Sequence, residues 1–423
     1  MDMWQKLTLE AACSVITDGA HESPSSVLSG MPMASVKDLT PFGVRLDACR
    51  MIAEEDFERL ARQGCRPLKG DVLIAKDGAT ALDTVCEVKR NDAVVLLSSV
   101  AILRPNPSVV DSSFLRYYLD STATRDYLKR SFISGAAIPR VVLKDLRRAE
   151  VRLPPLQIQK RITAILSAYD DLIENNRRRI DLLEEMARAI YREWFVEFRS
   201  SGKQRISIRT SSLGDIPAGW EIATLREVTT KIGSGATPRG GKESYKADGI
   251  PLIRSLNIYD YRFEFAGLAR IDDRQAAELD NVIVQENDIL LNITGASVAR
   301  CAMVPSHLVP ARVNQHVAIV RADLHKVSPF YLLDAINSGQ RKRQLLALAQ
   351  GGATREALTK ETVSNFEIIL PPLSLLKRYD SIAGGIHKQR EILGRQAQNL
   401  RRTRDLLLPR LLSGQLSLTN TAA

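Results

Sequence analysis

Trp4, Leu9, Ile16 and Gly19 recur as Trp220, Leu225, Ile232 and Gly235, every spacing kept at a displacement of 216. Gly70-Asp71-Val72-Leu73 with Gly78-Ala79-Thr80 returns as Asn287-Asp288-Ile289-Leu290 with Gly295-Ala296-Ser297, displaced by 217. At that same displacement Val100-Ala101-Ile102-Leu103-Arg104 returns as Val317-Ala318-Ile319-Val320-Arg321. So does Leu153-Pro154-Pro155-Leu156 with Lys160-Arg161, as Leu370-Pro371-Pro372-Leu373 with Lys377-Arg378. Four islands at nearly one displacement make the chain a tandem duplication, which fixes its organisation before any single element is assigned. The islands are apolar with glycines at turns, as a shared framework would be. Between them, residues about 20–69 have almost nothing in common with about 236–286. Each copy can therefore present its own surface on one scaffold.

Each copy falls into two parts. The first is mixed, with short β-rich runs such as Val72-Leu73-Ile74-Ala75 and Ser99-Val100-Ala101-Ile102-Leu103 bounded by Gly, Asp and Pro, and helical stretches near Phe114–Leu119 and Phe330–Leu333. It predicts a compact α+β module. The second part is a long helix. The residue before a proline avoids α geometry while proline suits the first helical turn, so strands should end at Leu153 and Leu370 and helices begin near Pro155 and Pro372. The expected division is a first module over 1–153, a central helix over 154–200, a linker over 201–218, a second module over 219–370, a distal helix over 371–414 and a tail over 415–423. The fold class is α+β: two modules in a tandem pseudo-two-fold repeat, separated by two long antiparallel coiled-coil helices.

In the central helix Ile158, Ile162, Ile165, Tyr169 and Leu172, then Ile180, Leu183, Ala187, Ile190 and Trp194, step by three and four and predict a seam for another helix. Asn176 falls on that seam, where a buried Asn can fix register. The distal helix places Leu376, Tyr379, Ile382, Ile386, Leu393, Leu400 and Leu407 on similar spacing, up to a kink expected at Pro409. The central helix balances eight Lys/Arg against eight Asp/Glu, whereas the distal one has nine Lys/Arg and three acids. Such charges favour pairing the two helices; the surplus arginines could instead face phosphates or an acidic subunit. A helix of roughly 43 residues spans about 64 Å. Two of them could hold modules on successive major-groove segments, which recur every ~34–36 Å.

The 423 residues carry a net charge of +10 and a pI near 9.4, which suits a polyanionic partner or a solvated basic surface. Five scattered cysteines with no C-x-x-C pair argue against disulfides and zinc and fit a reducing cytoplasm. Met1–Lys6 has no apolar run behind its charges, so no signal peptide is expected, and no run reaches the ~18 apolar residues of a membrane span.

Two variable modules, each followed by a helix introduced by L-P-P-L, resemble the specificity subunit of type I restriction–modification systems. The strings that carry the likeness are Leu153-Pro154-Pro155-Leu156-Gln157-Ile158-Gln159-Lys160-Arg161-Ile162, Tyr191-Arg192-Glu193-Trp194-Phe195-Val196 and Leu408-Pro409-Arg410-Leu411-Leu412-Ser413-Gly414. The likeness extends over essentially the whole chain. It implies that each module is a target recognition domain reading one half of a split double-stranded DNA target. It implies that the helices set the spacing and dock two methyltransferase subunits that use S-adenosylmethionine on adenine, with ATP- and Mg2+-dependent restriction subunits beyond. The chain itself would bind no cofactor and act in the cytoplasm. The distal helix departs from the pattern at Leu376, where the glutamine matching Gln159 is absent.

Catalytic motifs are missing. Both Pro-Pro pairs stand between leucines, unlike the [DNS]-P-P-[FYW] loop of an adenine methyltransferase, and Gly235–Glu243 has one glycine too many and Glu243 where a phosphate loop needs Ser or Thr. Asp71, Glu87 and Lys89 have nuclease-like types, but the second copy keeps only Asp288, with Val304 and Ser306 replacing the others. His21, His307, His316, His325 and His387 lack metal-ligand spacing. Base reading falls to polar loop residues. In the first module these are Thr17, His21, Ser35, Lys37, Lys76, Thr80 and Arg140; in the second, Ser234, Thr237, Arg239, Lys242, Arg254, Asn257, Thr294, Ser297, Gln315, Thr354 and Arg355. The stripe Tyr191, Trp194, Phe195 and Phe198 either packs on Leu406–Leu412 or docks a methyltransferase subunit. Two other readings stay open: a stand-alone nuclease or methyltransferase, and a coiled-coil scaffold with no DNA role.

Overall fold

The computed structural model describes residues 4–134, 139–199, 207–238, 240–350 and 356–416. Contacts divide the chain into two compact units, Met1–Arg178 with Arg395–Ala423, and Arg179–Gly394. Each unit is therefore closed by parts of both long helices, α1 (Leu156–Tyr191) and α2 (Leu373–Leu412).

An antiparallel four-stranded sheet organises each unit. In the first the order is Cys13–Asp18, Val100–Pro105, Val72–Ala75, Val85–Glu87. In the second it is Thr229–Ser234, Val317–Ala322, Ile289–Asn292, Cys301–Met303. The inner strands are dominated by runs of Val, Ile, Leu and Ala because both faces are covered. Side chains alternate across a strand, so Val72 and Ile74 join Phe114 and Leu115 in one core while Leu73 and Ala75 join Ala34 and Leu96 in another. The second unit divides Ile289 and Leu291 from Leu290 in the same way.

The stretches that diverge in sequence share an architecture. Arg50–Ile52, Met31–Ala34 and Val95–Leu96 form a mixed three-stranded sheet, and Ala269–Ile271, Ile250–Ile253 and Arg312–Val313 repeat it. The paired first members of these strands now stand 219 apart, so two extra residues in the second copy hide the match. Gly30 and Gly249 precede the equivalent strands, and a Cβ on either would lie 2.2 or 2.3 Å from the carbonyl oxygen of Ile52 or Ile271. Only glycine fits such an approach. Next comes a short turn whose buried Asp38 carboxylate accepts from Ser35 N (2.8 Å); buried Asn257 does the same for Arg254 N (3.1 Å).

Asp71 and Asp288, the carboxylates common to both copies, are buried and serve the framework. Arg104 makes two bonds of 2.8 Å to Asp71, and Arg321 two of 2.7 Å to Asp288. Each carboxylate also accepts a backbone N–H, from Leu68 (2.8 Å) and Gln285 (2.7 Å). Their oxygens are committed to arginine and backbone, which removes the nuclease-like reading of Asp71.

Strands Glu150–Leu153 and Glu367–Leu370 stop before the Pro-Pro pairs and pair with Gln5–Thr8 and Glu221–Thr224. Leucines 156 and 373 then start α1 and α2, and α2 runs through Pro409 to Leu412. Within the first unit Asp170 of α1 pairs with Arg404 of α2, and Ile162 and Leu166 share a core with Leu411. Within the second, Glu184 pairs with Arg390, and Arg378 lies 5.5 Å over the Trp194 ring. In each unit the two helix segments run antiparallel. Over the first half of α1 the buried face is Gln159, Ile162, Leu166, Asp170 and Ile173, about one residue round from the predicted seam, leaving Leu172 53% exposed, whereas Asn176 and Ala187 are buried on the seam as expected. Two polar anchors cause this turn: apolar periodicity cannot see Gln159 and Asp170, whose hydrogen bonds hold that face inward.

Gln159 donates to Val109 O (3.1 Å) and Pro154 O (2.8 Å) and accepts from Asp111 N (2.9 Å). Its lack of a counterpart at fully buried Leu376 thus concerns how helix joins module. A second joint exchanges its chemistry between copies. In the first unit Asp111 caps the helix Ser112–Asp120 through Phe114 N and accepts from Thr163 Oγ1 of α1 (3.0 Å). In the second, Ser328 caps Pro329–Asn337 through Tyr331 N and donates to Asp380 of α2. Carboxylate and hydroxyl have changed sides. Thr163→Asp alone should set two carboxylates together and cost between about 1 and 4 kcal/mol. Adding Asp111→Ser should restore most of it, since serine also caps; denaturant midpoints of the single and double variants measure the rescue.

Candidate nucleic-acid interface

At one end of each four-stranded sheet three chain segments meet. In the first unit they are the end of Cys13–Asp18, residues 76–77 after Val72–Ala75, and the turn entering Val100–Pro105, since Ala101 pairs with Asp18 and Val100 with Ala75. A chain of ionic contacts crosses this end. His21 Nε2 lies 3.2 Å from Asp18, Lys76 Nζ lies 3.3 Å from both Asp18 and Asp77, and Arg140 Nε lies 3.0 Å from Asp77. Lys76 is 5% exposed, so its ammonium is held between two acids, whereas His21 and Arg140 are exposed at the rim. Thr17 adjoins Asp18, and Thr80 is exposed on the following turn.

The second unit places different chemistry at the same position. Ser234 stands for Asp18, pairing with Ala318, and Thr294 stands for Asp77, as the bridge Asp77–Arg140 becomes Thr294–Ala357. Thr294 Oγ1 lies 2.6 Å from His316 Nδ1, Thr237 donates to Gln315, and Ser297 accepts from Asn292 Nδ2 at 3.1 Å. A cluster of ion pairs in one copy is a cluster of hydroxyl, amide and imidazole groups in the other.

Thr17, His21, Lys76 and Arg140 are thus brought together, as are Ser234, Thr237, Thr294, Ser297 and Gln315. Lys37 and Arg254 lie on the three-stranded part; Arg254 stacks 5.1 Å over Tyr245 and donates to Gly267 O at 2.5 Å. Ser35 and Asn257 serve their turns through hydrogen bonds, and Asn257 is fully buried with its amide on Glu264 O (2.8 Å), which leaves it a positioning role. Arg239, Thr354 and Arg355 lie outside the described residues, as does the side chain of Lys242. His316 lacks metal-ligand spacing, and its signal in the sequence is its place beside exposed Gln315 at a repeated turn.

The aromatic stripe that begins at the end of α1 and continues beyond it does not pack on Leu406–Leu412. Phe195 is buried against Tyr331 (4.7 Å), Tyr379 (5.0 Å) and Trp220 (6.0 Å), and Phe198 meets Trp220 at 5.4 Å. Tyr191 and Trp194 lie near Tyr331 and Tyr379. Antiparallel pairing is the reason: it brings the end of α1 to the start of α2, while Leu407, Leu408, Leu411 and Leu412 join the first unit's core.

Two buried polar junctions also escaped sequence reasoning, because each reads as ordinary surface charge on a helix. In the first unit Asp170 accepts from Arg116 (2.8 Å), Tyr117 (2.7 Å) and Arg404. Burial alone would raise its carboxyl, but Arg116, Arg404 and the Tyr117 hydroxyl outweigh that and hold it below the usual range. In the second unit burial pushes Asp334 up to about 7, although the hydroxyls of Tyr379 and Tyr261 pull the other way. Among the described residues no His/Cys/Asp/Glu group could hold a metal ion, and no helix is long and apolar enough to cross a membrane.

The duplicated scaffold thus varies a polar cluster at one fixed place. The sequence model of the family described as type I restriction modification DNA specificity domain matches residues 58–185 and 217–392. The MjaIX specificity subunit of a type I restriction enzyme from Methanocaldococcus jannaschii is 24% identical over 315 residues, covering 74% of this chain and 70% of its own. The HindI specificity subunit from Haemophilus influenzae is 23% identical over 383 residues, covering 77% and 82%. The crystal structure of a type I restriction–modification S subunit from M. genitalium has the same fold, with TM-score 0.62, 14% identity and 96% of each chain covered. The chain belongs to the type I restriction–modification DNA specificity family. Its role is DNA specificity, and it is not an enzyme.

Replacing Asp18 and Asp77 together by Asn should strand the Lys76 ammonium in a buried site and destabilise the first unit by about 3 kcal/mol or more. Thermal unfolding should record the loss, and a Lys76→Met change added to the pair should recover much of it.

Proposed function

We propose that each module is a target recognition domain reading one half of a split double-stranded DNA site, with the sheet-end cluster and its surrounding loops as the reading surface. The observation that carries this is the exchange of chemistry at one repeated place: exposed His21 and Arg140 held over two acids and the buried Lys76 in the first copy, Ser234, Thr294, His316 and Gln315 in the second. Side chains that reach base edges specify sequence, while phosphate contacts only position the protein. Two different clusters on one framework suit two different half-sites, and the net charge of +10 suits the phosphates of both.

The two long helices supply spacing in this reading. Helices of 36 and 40 residues extend about 54 and 60 Å, beyond the ~34–36 Å between successive faces of DNA. Their exposed surfaces, including Leu182 and Met186 on α1, would dock two methyltransferase subunits. S-adenosylmethionine, ATP and Mg2+ would be held by the methyltransferase and restriction subunits, and the assembly would work in the cytoplasm.

Inserting about four residues beside Asn176, one helical turn, should lengthen the unread spacer or abolish binding and leave both half-site sequences unchanged. Selection from duplexes with variable spacer length measures this. A change in the half-site bases themselves would overturn the spacing role of the helices.

A further inference from the structure

We infer that the turn Asn314–Val317 is a base-reading device of the second module, in which Gln315 reads an adenine in the major groove; this rests on the DNA-specificity reading above. The backbone of the turn is anchored on both sides of Gln315. Val317 N donates to Asn314 O (3.3 Å), Asn314 N to Ile253 O (3.1 Å), Gly235 N to Asn314 O (3.2 Å) and Ile293 N to His316 O (3.0 Å). Asn314 is buried, and its side chain accepts from His316 N at 3.1 Å. The tip is therefore fixed by the framework before any ligand arrives.

The same turn exists in the first module. Val100 N donates to Leu97 O (3.0 Å), Leu97 N to Ala34 O (2.8 Å) and Lys76 N to Ser99 O (2.9 Å), the counterparts of the Val317, Asn314 and Ile293 bonds. Its tip carries Ser98 and Ser99, whereas the second module presents Gln315 and His316 at those positions. A shared backbone with an exchanged tip is what a change of specificity on a constant scaffold requires.

Gln315 is exposed, and its carbonyl oxygen accepts the Thr237 hydroxyl. That oxygen keeps a second lone pair, and the amide nitrogen has no other partner among the described residues. A primary amide sets an acceptor beside a donor, the complement of adenine N6–H and N7 in the major groove. Thr237 holds the side chain in place, so less rotamer freedom is lost when a base edge binds. His316 is tied to Thr294 and flanks the amide.

The test uses the full chain assembled with its methyltransferase subunits, offered duplexes randomised over both half-sites, with the bound DNA sequenced. The unaltered chain should select a split target. Gln315→Ala should lower adenine enrichment at one position of one half-site by about tenfold or more, with other positions unchanged. Gln315→Arg should move that position toward guanine, and Thr237→Val should give a smaller loss at the same place. Gln315 is a surface side chain, so loss of folding does not confuse the result. The inference is overturned if Gln315→Ala selects the original target, if the weakened position is not adenine, or if both half-sites weaken alike. If the unaltered chain selects no split sequence, the proposed function fails as well, and the two failures are thereby told apart.

Discussion

Burial of the central strands on both faces is the constraint from which the rest of each unit follows. A strand such as Val72–Ala75 sends alternate side chains into two different cores, so helices must cover one face and a further sheet the other. Asp71 with Arg104, and Asp288 with Arg321, pin the loop leading into that strand through a buried carboxylate whose bonds are all internal. With both faces occupied, side chains remain accessible where strands end. There the two copies differ in chemistry, and loops carried on a rigid sheet present it.

The helices join each unit through polar contacts set among apolar ones. Gln159, Asp170 and the pair Asp111–Thr163 lie on the face of α1 that turns inward, and their hydrogen bonds there offset the cost of taking polar groups out of water. The second unit meets the same demands with other residues: Leu376 is buried where Gln159 stands in the first, and Ser328 with Asp380 reverses the carboxylate and hydroxyl. Duplication has preserved the contacts as places rather than as residue types.

The same distinction separates what could be read from the chain and what could not. The islands around Trp4 and Trp220, the strand ends at Leu153 and Leu370 and the helix starts after the Pro-Pro pairs were legible, because proline geometry and two-sided burial act locally on residue choice. The common architecture of 31–52 and 250–271 was not, since its requirements are a glycine that admits a carbonyl and one buried side chain that closes a turn, and Asp38 and Asn257 meet the second equally well. The aromatic stripe of α1 was visible, but its partners were not: they depend on helix direction, which periodicity does not encode.

By itself the sequence determined that one α+β framework is used twice, that each copy continues into a long helix, and that the chain carries no catalytic motif, because repeats, caps and apolar periods are written in neighbouring residues. Tertiary structure alone decided which polar side chains come together. His21, Lys76 and Arg140 are far apart along the chain, as are Thr237 and Gln315, and they meet because antiparallel pairing aligns strand ends separated by many tens of residues. A recognition surface assembled across strands has no signature along any one of them.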